Sequence, residues 1–129
     1  MSLTAADRLA ILDLVTRADE AATNRDADGY VALFTADAVL DGDQGQHAGR
    51  EALRAAVGPI WAGEGPVTLH LTLNPVVEGD GDEAVVRSVM LIVSPAPPAA
   101  LHVAAAITQH LRREDGHWRI ARRTVSAFS

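Results

Sequence analysis

The stretch VTLHLTLNPVV, residues 67–77, decides the fold class because the hydrophobic period changes there. Before it, apolar residues recur at helical spacing, and from it onward they alternate as strand residues do. Three leucines occupy one face of this strand, whereas the other face carries Thr68, His70, Thr72 and Asn74. That polar face either meets water or lines a pocket, and the sequence alone favours a pocket at His70.

The composition excludes several classes of function. The chain has 129 residues and no cysteine, so it can form neither disulfides nor thiolate metal sites. Its net charge of −6 argues against non-specific nucleic-acid binding, which requires many cations. No apolar run is long enough for a membrane span, and the start MSLTAADRLA lacks the pattern of a signal peptide. We therefore expect a cytoplasmic protein with no nucleic-acid or membrane partner.

The first half of the chain is predicted to be mainly helical. Thr4 and Asp7 form a capping-box pattern that starts a helix over residues 5–24, and a second short helix extends to about Thr35. The third, REALRAAVGPIWAG from Arg50, is expected to end near Gly58 because proline disfavours helix in the residue before it. Between the second and third helices, residues 37–41 are predicted as a short strand and 42–49 as a loop.

The second half is predicted to form four strands, at residues 67–78, 84–94, 101–113 and 117–126. Helices followed by meandering strands indicate an α+β fold, with a mostly antiparallel sheet and helices on one face. The strand at 84–94 is apolar on both faces, which is typical of a strand covered on both sides. We therefore expect a single domain over residues 1–129 and a homodimer that covers the outer face of the sheet.

Four strings cover much of the chain: RDADGYVALFTADAVLDG (25–42), AGREAL (48–53), LHLTLNPVVEGDGDEAVVRS (69–88) and LRREDGHWRIARR (111–123). They resemble the SnoaL-like branch of the nuclear transport factor 2-like superfamily, which includes ketosteroid isomerase and scytalone dehydratase. The resemblance implies a cone-shaped, cystatin-like fold, in which a curved sheet wraps around the N-terminal helices and a pocket opens at the wide end. It also implies dimerisation through the sheet. It does not identify the reaction, because function depends on the pocket residues.

The same resemblance implies a catalytic role for His70, since dehydratases of this superfamily carry a catalytic histidine at the start of this strand. Imidazole suits both acid and base work near neutral pH. The aspartate and tyrosine of those dehydratases are replaced, with Thr23 at the position of the aspartate. The general base of ketosteroid isomerase falls at Gly42, so that Asp41 can take its place only if a bulge restores its direction. A catalytic His70 needs a second polar group opposite it, and the sequence offers Asp41, Ser88, Thr23 and Tyr30, of which Asp41 is the nearest candidate in the geometry that the resemblance implies.

Six further residues are candidates for ligand binding, and all but Ser88 have a structural alternative. Tyr30 and Phe34 share a helix face and can line the cavity or pack in the core. Trp61 suits a flat apolar ligand at the mouth of the cone, or packs on the sheet at its rim. Asn74, held extended before a proline, can orient a ligand or close the strand. The remaining two candidates are Ser88, which could face His70, and Arg122. Arg122 either belongs to a solvated arginine face paired with acids or meets an anionic ligand, because it shares the parity of Ile120.

The sequence suggests neither a metal nor a cofactor. No HxH or HxxxH spacing, glycine-rich phosphate loop or nucleophile elbow is present. Two hypotheses follow. The first is a cofactor-independent lyase, isomerase or cyclase that acts on a small apolar ring or polyketide-like molecule, with His70 moving a proton beside a carbonyl. The second is a non-catalytic ligand-binding or accessory protein of the same fold.

Overall fold

A computed structural model of the chain describes residues 1–43 and 45–128. It contains three helices and six strands. In chain order these are α1 (Ala5–Thr23), α2 (Ala27–Val31), β1 (Phe34–Gly42), β2 (Gly45–Ala48), α3 (Arg50–Gly63), β3 (Leu69–Asp80), β4 (Glu83–Ser94), β5 (Ala100–Glu114) and β6 (His117–Ala127). The α+β fold class expected from the sequence is confirmed.

Helix α1 begins and ends close to the predicted residues. The Thr4 hydroxyl accepts a hydrogen bond from the Asp7 main chain, and the Asp7 carboxylate accepts one from Thr4, which completes the capping box. The buried face carries small and aliphatic side chains together with one carboxylate, Asp19. Helix α2 is shorter than predicted and ends at Val31, because the chain from Phe34 onward pairs as a strand.

The prediction that α3 ends near Gly58 is wrong, since the helix continues through Pro59 to Gly63. Leu53, Val57 and Trp61 lie four residues apart on its buried face. Pro59 lies on the exposed side of the helix, so water can satisfy the carbonyl that its ring leaves unpaired. The free energy gained by burying Trp61 therefore outweighs the lost hydrogen bond. Because the helix continues to Gly63, the residue that caps its C-terminal end is Glu64.

The predicted loop at 42–49 is also partly wrong. Residues 45–48 form β2, which pairs antiparallel with the end of β1. The six strands lie in the order β2-β1-β6-β5-β4-β3, in which β1 and β6 are parallel and the other pairs are antiparallel. β3 is consequently an edge strand. One of its edges pairs with β4, and the other faces helix α1.

The helices pack on one face of this sheet. The main core contains residues of all three helices and of the inner strand faces, including the fully buried Ile11, Phe34, Leu53 and Ile120. A second, smaller cluster lies farther along β4 and β5, around Met90 and Ile107. The side chain of His70 lies on the inner face of β3, whereas Leu71 and Leu73 point outward and are 38% and 40% exposed.

No helix in the described residues combines the length and the apolar character that a membrane crossing requires.

Candidate functional site

A cavity of about 780 Å³ lies between the inner face of the sheet and helix α3. Most of its wall is apolar, including Val57, Ile60, Met90, Ile92 and Val125. The polar part of the wall consists of a few side chains from different elements, among them Tyr30, Glu64, His70 and Arg123. A mostly apolar cavity with a few convergent polar groups is the usual form of a small-molecule site.

His70 borders this cavity, as the alternation of residues 69–73 predicted. Its side chain is only 6% exposed, and its main-chain N–H donates to the Thr23 hydroxyl across 2.9 Å. That bond uses the free edge of β3 and fixes the strand against the end of α1. Thr23 thus holds the backbone of His70 in place. The location of His70 agrees with the sequence, and its role in catalysis stays a prediction.

The imidazole of His70 contacts a carboxylate that the sequence analysis did not consider. His70 Nε2 lies 2.8 Å from Oε1 of Glu64, whose side chain is 11% exposed. The hydroxyl of Thr68 donates to the same oxygen across 2.9 Å. The loop that joins α3 to β3 is held by Arg25, which donates to the Gly65 carbonyl. The acid and the imidazole are therefore positioned by the end of α3 and the start of β3.

This contact determines which nitrogen of the His70 ring carries the hydrogen. An ionised carboxylate can only accept a hydrogen bond, so Nε2 of His70 carries a hydrogen when Glu64 is ionised. The Nδ1 atom of a neutral imidazole is then the basic nitrogen. A carboxylate also stabilises the imidazolium that forms when this nitrogen takes up a proton, which is the role of the acid in histidine-based catalytic sites.

A second buried carboxylate, Asp19 of α1, lies behind this pair. Thr72 donates to its Oδ2 across 2.6 Å, while its Oδ1 has no hydrogen-bond partner within the described residues and lies 3.7 Å from Nη2 of Arg123. Burial raises the pKa of the Asp19 carboxyl, although Arg123 and Thr72 oppose this effect. Asp19 and His70 also line a smaller groove of about 360 Å³ between α1 and β3.

Arg123 reaches the cavity because β6 contains a bulge. His110 pairs with Arg122, but the next residue of β5, Leu111, pairs with Ile120, which leaves Ala121 unmatched. The extra residue reverses the alternation, so that Arg123 shares the inner face with Ile120 and is 4% exposed. The prediction that Arg122 shares the inward direction of Ile120 is wrong because of this bulge.

Asp41 does not contact His70. Leu40 pairs with Arg123 and packs against the core, so the next residue, Asp41, belongs to the opposite face of β1. Its carboxylate accepts a hydrogen bond from Arg122 across 2.9 Å, although the residue borders the cavity at the end of the strand. The expected pair of Asp41 and His70 is therefore replaced by two other pairs, Asp41 with Arg122 and Glu64 with His70.

The aromatic candidates divide between the cavity and the core. Tyr30 and Trp61 both border the cavity, with ring centroids 5.3 Å apart in an edge-to-face arrangement. Phe34 is fully buried, with its centroid 4.9 Å from that of Tyr30. It belongs to the core and supports the wall from behind, outside the cavity lining formed by the described residues.

The last two candidates do not border the cavity within the described residues. Asn74 is exposed and has a φ of 54°, so the expectation that its backbone is extended is wrong. It lies where the pairing of β3 with β4 shifts, which explains the unusual conformation. The Ser88 hydroxyl is buried in β4, and no described residue forms a hydrogen bond with it.

Glu64, Asp19 and Arg123 were not among the site residues predicted from the sequence, although two of them left a signal there. Asp19 is a charged residue within the apolar stripe of α1, one turn after Val15 and one turn before Thr23. Glu64 precedes His70 by six residues, with a Gly-Pro turn between them. In residues 1–43 and 45–128, no three or more histidine, aspartate or glutamate side chains form a group that could hold a metal ion.

The fold agrees with that of known proteins similar to this chain. Residues 3–124 match the SnoaL-like domain. The chain belongs to the SnoaL-like domain family. A comparison with curated protein sequences gave no match.

Solved structures resemble this SnoaL-like chain over almost its whole length. A protein of unknown function with a cystatin-like fold from Nostoc punctiforme is 27% identical, with a TM-score of 0.91 over 97% of this chain and 93% of that one. A Mycobacterium tuberculosis protein of unknown function is also 27% identical, with a TM-score of 0.85 over 95% and 76%. LinA, at 21% identity, has a TM-score of 0.84 over 96% and 87%, which shows the fold alone.

Proposed function

We propose that this SnoaL-like protein is a cofactor-independent lyase, isomerase or cyclase that acts on an apolar ring or polyketide-like substrate, with His70 transferring a proton. The observation that carries the proposal is the contact of His70 Nε2 with Glu64 Oε1 at 2.8 Å in the wall of the cavity. A largely buried acid-base pair has little structural benefit, because taking charged groups out of water costs free energy.

The proton transfer follows from the tautomer that Glu64 imposes. Nδ1 of His70 takes a proton from a carbon next to a carbonyl, and the electron pair of the broken C–H bond moves to the carbonyl oxygen. The imidazolium is stabilised by Glu64. Return of the proton at another carbon completes an isomerisation, whereas departure of a group from the neighbouring carbon completes an elimination.

The shape and lining of the cavity support an apolar ring as the substrate. Trp61 and Tyr30 offer ring faces and edges on one side, and Met90 and Ile92 offer aliphatic groups on another. A volume of about 780 Å³ is within the range usual for small-molecule sites. Burial of apolar ligand area against these side chains supplies affinity, and the few polar groups fix the orientation.

The test is exchange of solvent deuterium into ketones. The protein is incubated in deuterium oxide with a panel of cyclic and aryl ketones, and the label beside the carbonyl is measured by NMR. We expect His70→Gln to reduce the exchange rate roughly 100- to 10,000-fold, which is the usual contribution of a general acid or base. Glu64→Gln should also reduce it, because the neutral amide no longer stabilises the imidazolium.

Two matched variants control for non-specific effects. His117→Gln changes an exposed histidine at the start of β6, and Glu51→Gln changes an exposed acid in the first turn of α3. Both should leave the exchange rate unchanged. If no ketone of the panel exchanges faster with the protein than without it, or if His70→Gln exchanges at the parent rate, proton transfer by His70 is refuted.

The alternative is a non-catalytic ligand-binding or accessory protein of the same fold. It is favoured by the two structural contacts that already engage His70, with Thr23 at the main chain and Glu64 at Nε2. On this alternative, ketones bind in the cavity and His70→Gln changes their affinity, but no solvent deuterium is incorporated.

A further inference from the structure

The end of the cavity near α1 and β6 contains a buried guanidinium with hydrogen-bond donors to spare. Nη1 of Arg123 donates to the Tyr30 hydroxyl across 3.2 Å. Nη2 is 3.7 Å from Asp19 Oδ1, which is beyond hydrogen-bond distance. A guanidinium has five N–H donors, and the Tyr30 oxygen is the one hydrogen-bond acceptor that the described residues provide for it. Unused donors of a buried charged group cost free energy unless a ligand or water accepts from them.

Tyr30 adds a further donor at the same place. Its hydroxyl oxygen accepts from Arg123, and its hydrogen has no acceptor among residues 1–43 and 45–128. Burial raises the pKa of the Tyr30 phenol, so the hydrogen is retained at neutral pH. Tyr30 and Arg123 both border the cavity, and the Arg123 guanidinium carbon lies 5.7 Å from the centroid of the Tyr30 ring. One ligand oxygen can therefore accept from both side chains.

The charges nearby decide what kind of oxygen fits. Asp19 faces Arg123 from α1, and Glu64 borders the same cavity as Arg123. The positive charge of the guanidinium is therefore already balanced by a buried carboxylate. A ligand carboxylate would add a negative charge that no second arginine in the described cavity wall compensates, whereas a neutral carbonyl oxygen would add only an acceptor.

We propose that Arg123 and Tyr30 together bind the neutral carbonyl oxygen of an aryl or alicyclic ketone, and so make this cavity specific for carbonyl compounds over hydrocarbons and carboxylates. The proposal rests on the proposed function in one respect, that the cavity is where the substrate binds. It adds the group on the ligand that is recognised and the two residues that recognise it.

The test measures the binding of three probes of similar size, acetophenone, ethylbenzene and benzoate, by ligand-observed NMR and equilibrium dialysis. We expect the parent protein to bind acetophenone roughly tenfold more tightly than ethylbenzene, which corresponds to one or two hydrogen bonds to a charged or phenolic donor. Benzoate should bind more weakly than acetophenone. Tighter binding of benzoate, or no measurable binding of acetophenone at millimolar concentration, overturns the proposal.

The variant that removes the donor also has to keep the charges balanced. The double substitution Arg123→Met with Asp19→Asn removes both charges, so that no buried charge is left alone. It should abolish the preference for acetophenone over ethylbenzene and leave ethylbenzene affinity within about twofold of the parent, since the apolar wall is unchanged. A preference that survives in this variant overturns the proposal.

A second arginine–aspartate pair provides the matched control. Arg112 and Asp37 lie on β5 and β1 and contact each other at 2.6 Å outside the lining of both cavities in the described residues. Arg112→Met with Asp37→Asn should retain the preference for acetophenone. If the inner double variant fails to fold, as shown by circular dichroism, Tyr30→Phe replaces it and should reduce the preference several-fold. An unchanged preference in Tyr30→Phe then refutes the shared site.

Failure of this inference is distinguishable from failure of the proposed function. His70→Gln keeps Arg123 and Tyr30, so it should bind acetophenone with the parent's preference while it loses deuterium exchange. Exchange without a preference for acetophenone contradicts the carbonyl site alone. A preference without any exchange contradicts the proton transfer alone.

Discussion

The carboxylate of Glu64 and the imidazole of His70 are in contact at 2.8 Å, although one ends a helix and the other begins a strand. The contact turns a lone histidine on a polar strand face into an acid-base pair that is largely shielded from solvent. Thr68 fixes the acid, and Thr23 fixes the backbone of the histidine. The pair is therefore held in place before any ligand arrives, which is what efficient proton transfer requires.

The first prediction concerns Thr68, whose hydroxyl donates to the Glu64 oxygen that contacts His70. Thr68→Val keeps the shape and removes the hydrogen bond, so Glu64 becomes less firmly oriented. We expect deuterium exchange to fall about tenfold, while the affinity for acetophenone remains within twofold, since hydrogen bonds to charged groups are worth about 1.5–3 kcal/mol. Thr68→Ser should restore most of the rate. A Thr68→Val variant with the parent exchange rate would show that the hydroxyl has no part in positioning Glu64.

The second prediction separates Phe34 from Trp61. Phe34 is in the core, so Phe34→Leu should lower the free energy of unfolding by about 1–3 kcal/mol and change acetophenone affinity by less than twofold. Trp61 borders the cavity, so Trp61→Leu should weaken acetophenone binding several-fold in addition to its cost in stability. Urea unfolding and probe titration measure the two effects. Equal losses of affinity in both variants would place Phe34 at the ligand after all.

The third prediction concerns the pH dependence of stability. Hydrogen bonds from Arg112 and then from Thr35 lower the pKa of Asp37 from 3.8 to about 2. Because the folded pKa is lowered, the ionised form is favoured by folding, and its contribution is present above pH 3.8 and lost as the pH falls towards about 2. Asp37→Asn should therefore be less stable than the parent at neutral pH, and the difference should shrink across this interval. Urea unfolding at several pH values measures it.

The Arg112 side chain provides the control for this effect. In a double-mutant cycle of Asp37→Asn and Arg112→Met, the coupling between the two residues should be favourable at neutral pH and be lost as the pH falls through about 2. Coupling that persists at the lowest pH would mean that the pair is joined by packing and not by charge. The pair is exposed, so added salt should also weaken the coupling.

The fourth prediction is a homodimer formed by the outer face of the sheet. Leu71, Leu73 and Val76 of β3 and Leu101 of β5 are between 38% and 59% exposed, which leaves an apolar surface. Burial of this surface in a second copy removes it from water. Light scattering at micromolar concentration should give a mass near twice the 13.6 kDa of one chain. Leu71→Glu with Leu73→Glu should give the monomer mass, and a monomeric parent protein would refute the prediction.

The order of the helices, the four long strands and the inward direction of His70 could all be predicted from the sequence. These features depend on local patterns: the capping box at Thr4, and the alternation around His70 that persists while a strand is regular. The alternation also explains why His70 and Thr72 face inward while Leu71 and Leu73 face outward. Strands usually have apolar residues inward and polar residues outward. The reverse arrangement in this part of β3 indicates both a polar pocket and an apolar outer face.

The partners of His70 could not be predicted in the same way, because they depend on where irregular or unusual elements end. Glu64 reaches the imidazole only because α3 continues past Pro59, and this continuation is stabilised by the burial of Trp61 against Tyr30. Proline is unfavourable inside a helix when local preference is considered alone. Packing, which is a property of the assembled fold, outweighs that preference here.

Which arginine enters the cavity is likewise a property of the tertiary structure. Counting residues from Ile120 places Arg122 on the inner face, but the bulge at Ala121 turns Arg123 inward and gives Arg122 to Asp41. A strand has a period of two, so a single unmatched residue reverses every side chain beyond it. The sequence by itself determined the fold and the position of the histidine, whereas the pairing of β6 with β5 decided which charges meet in the cavity.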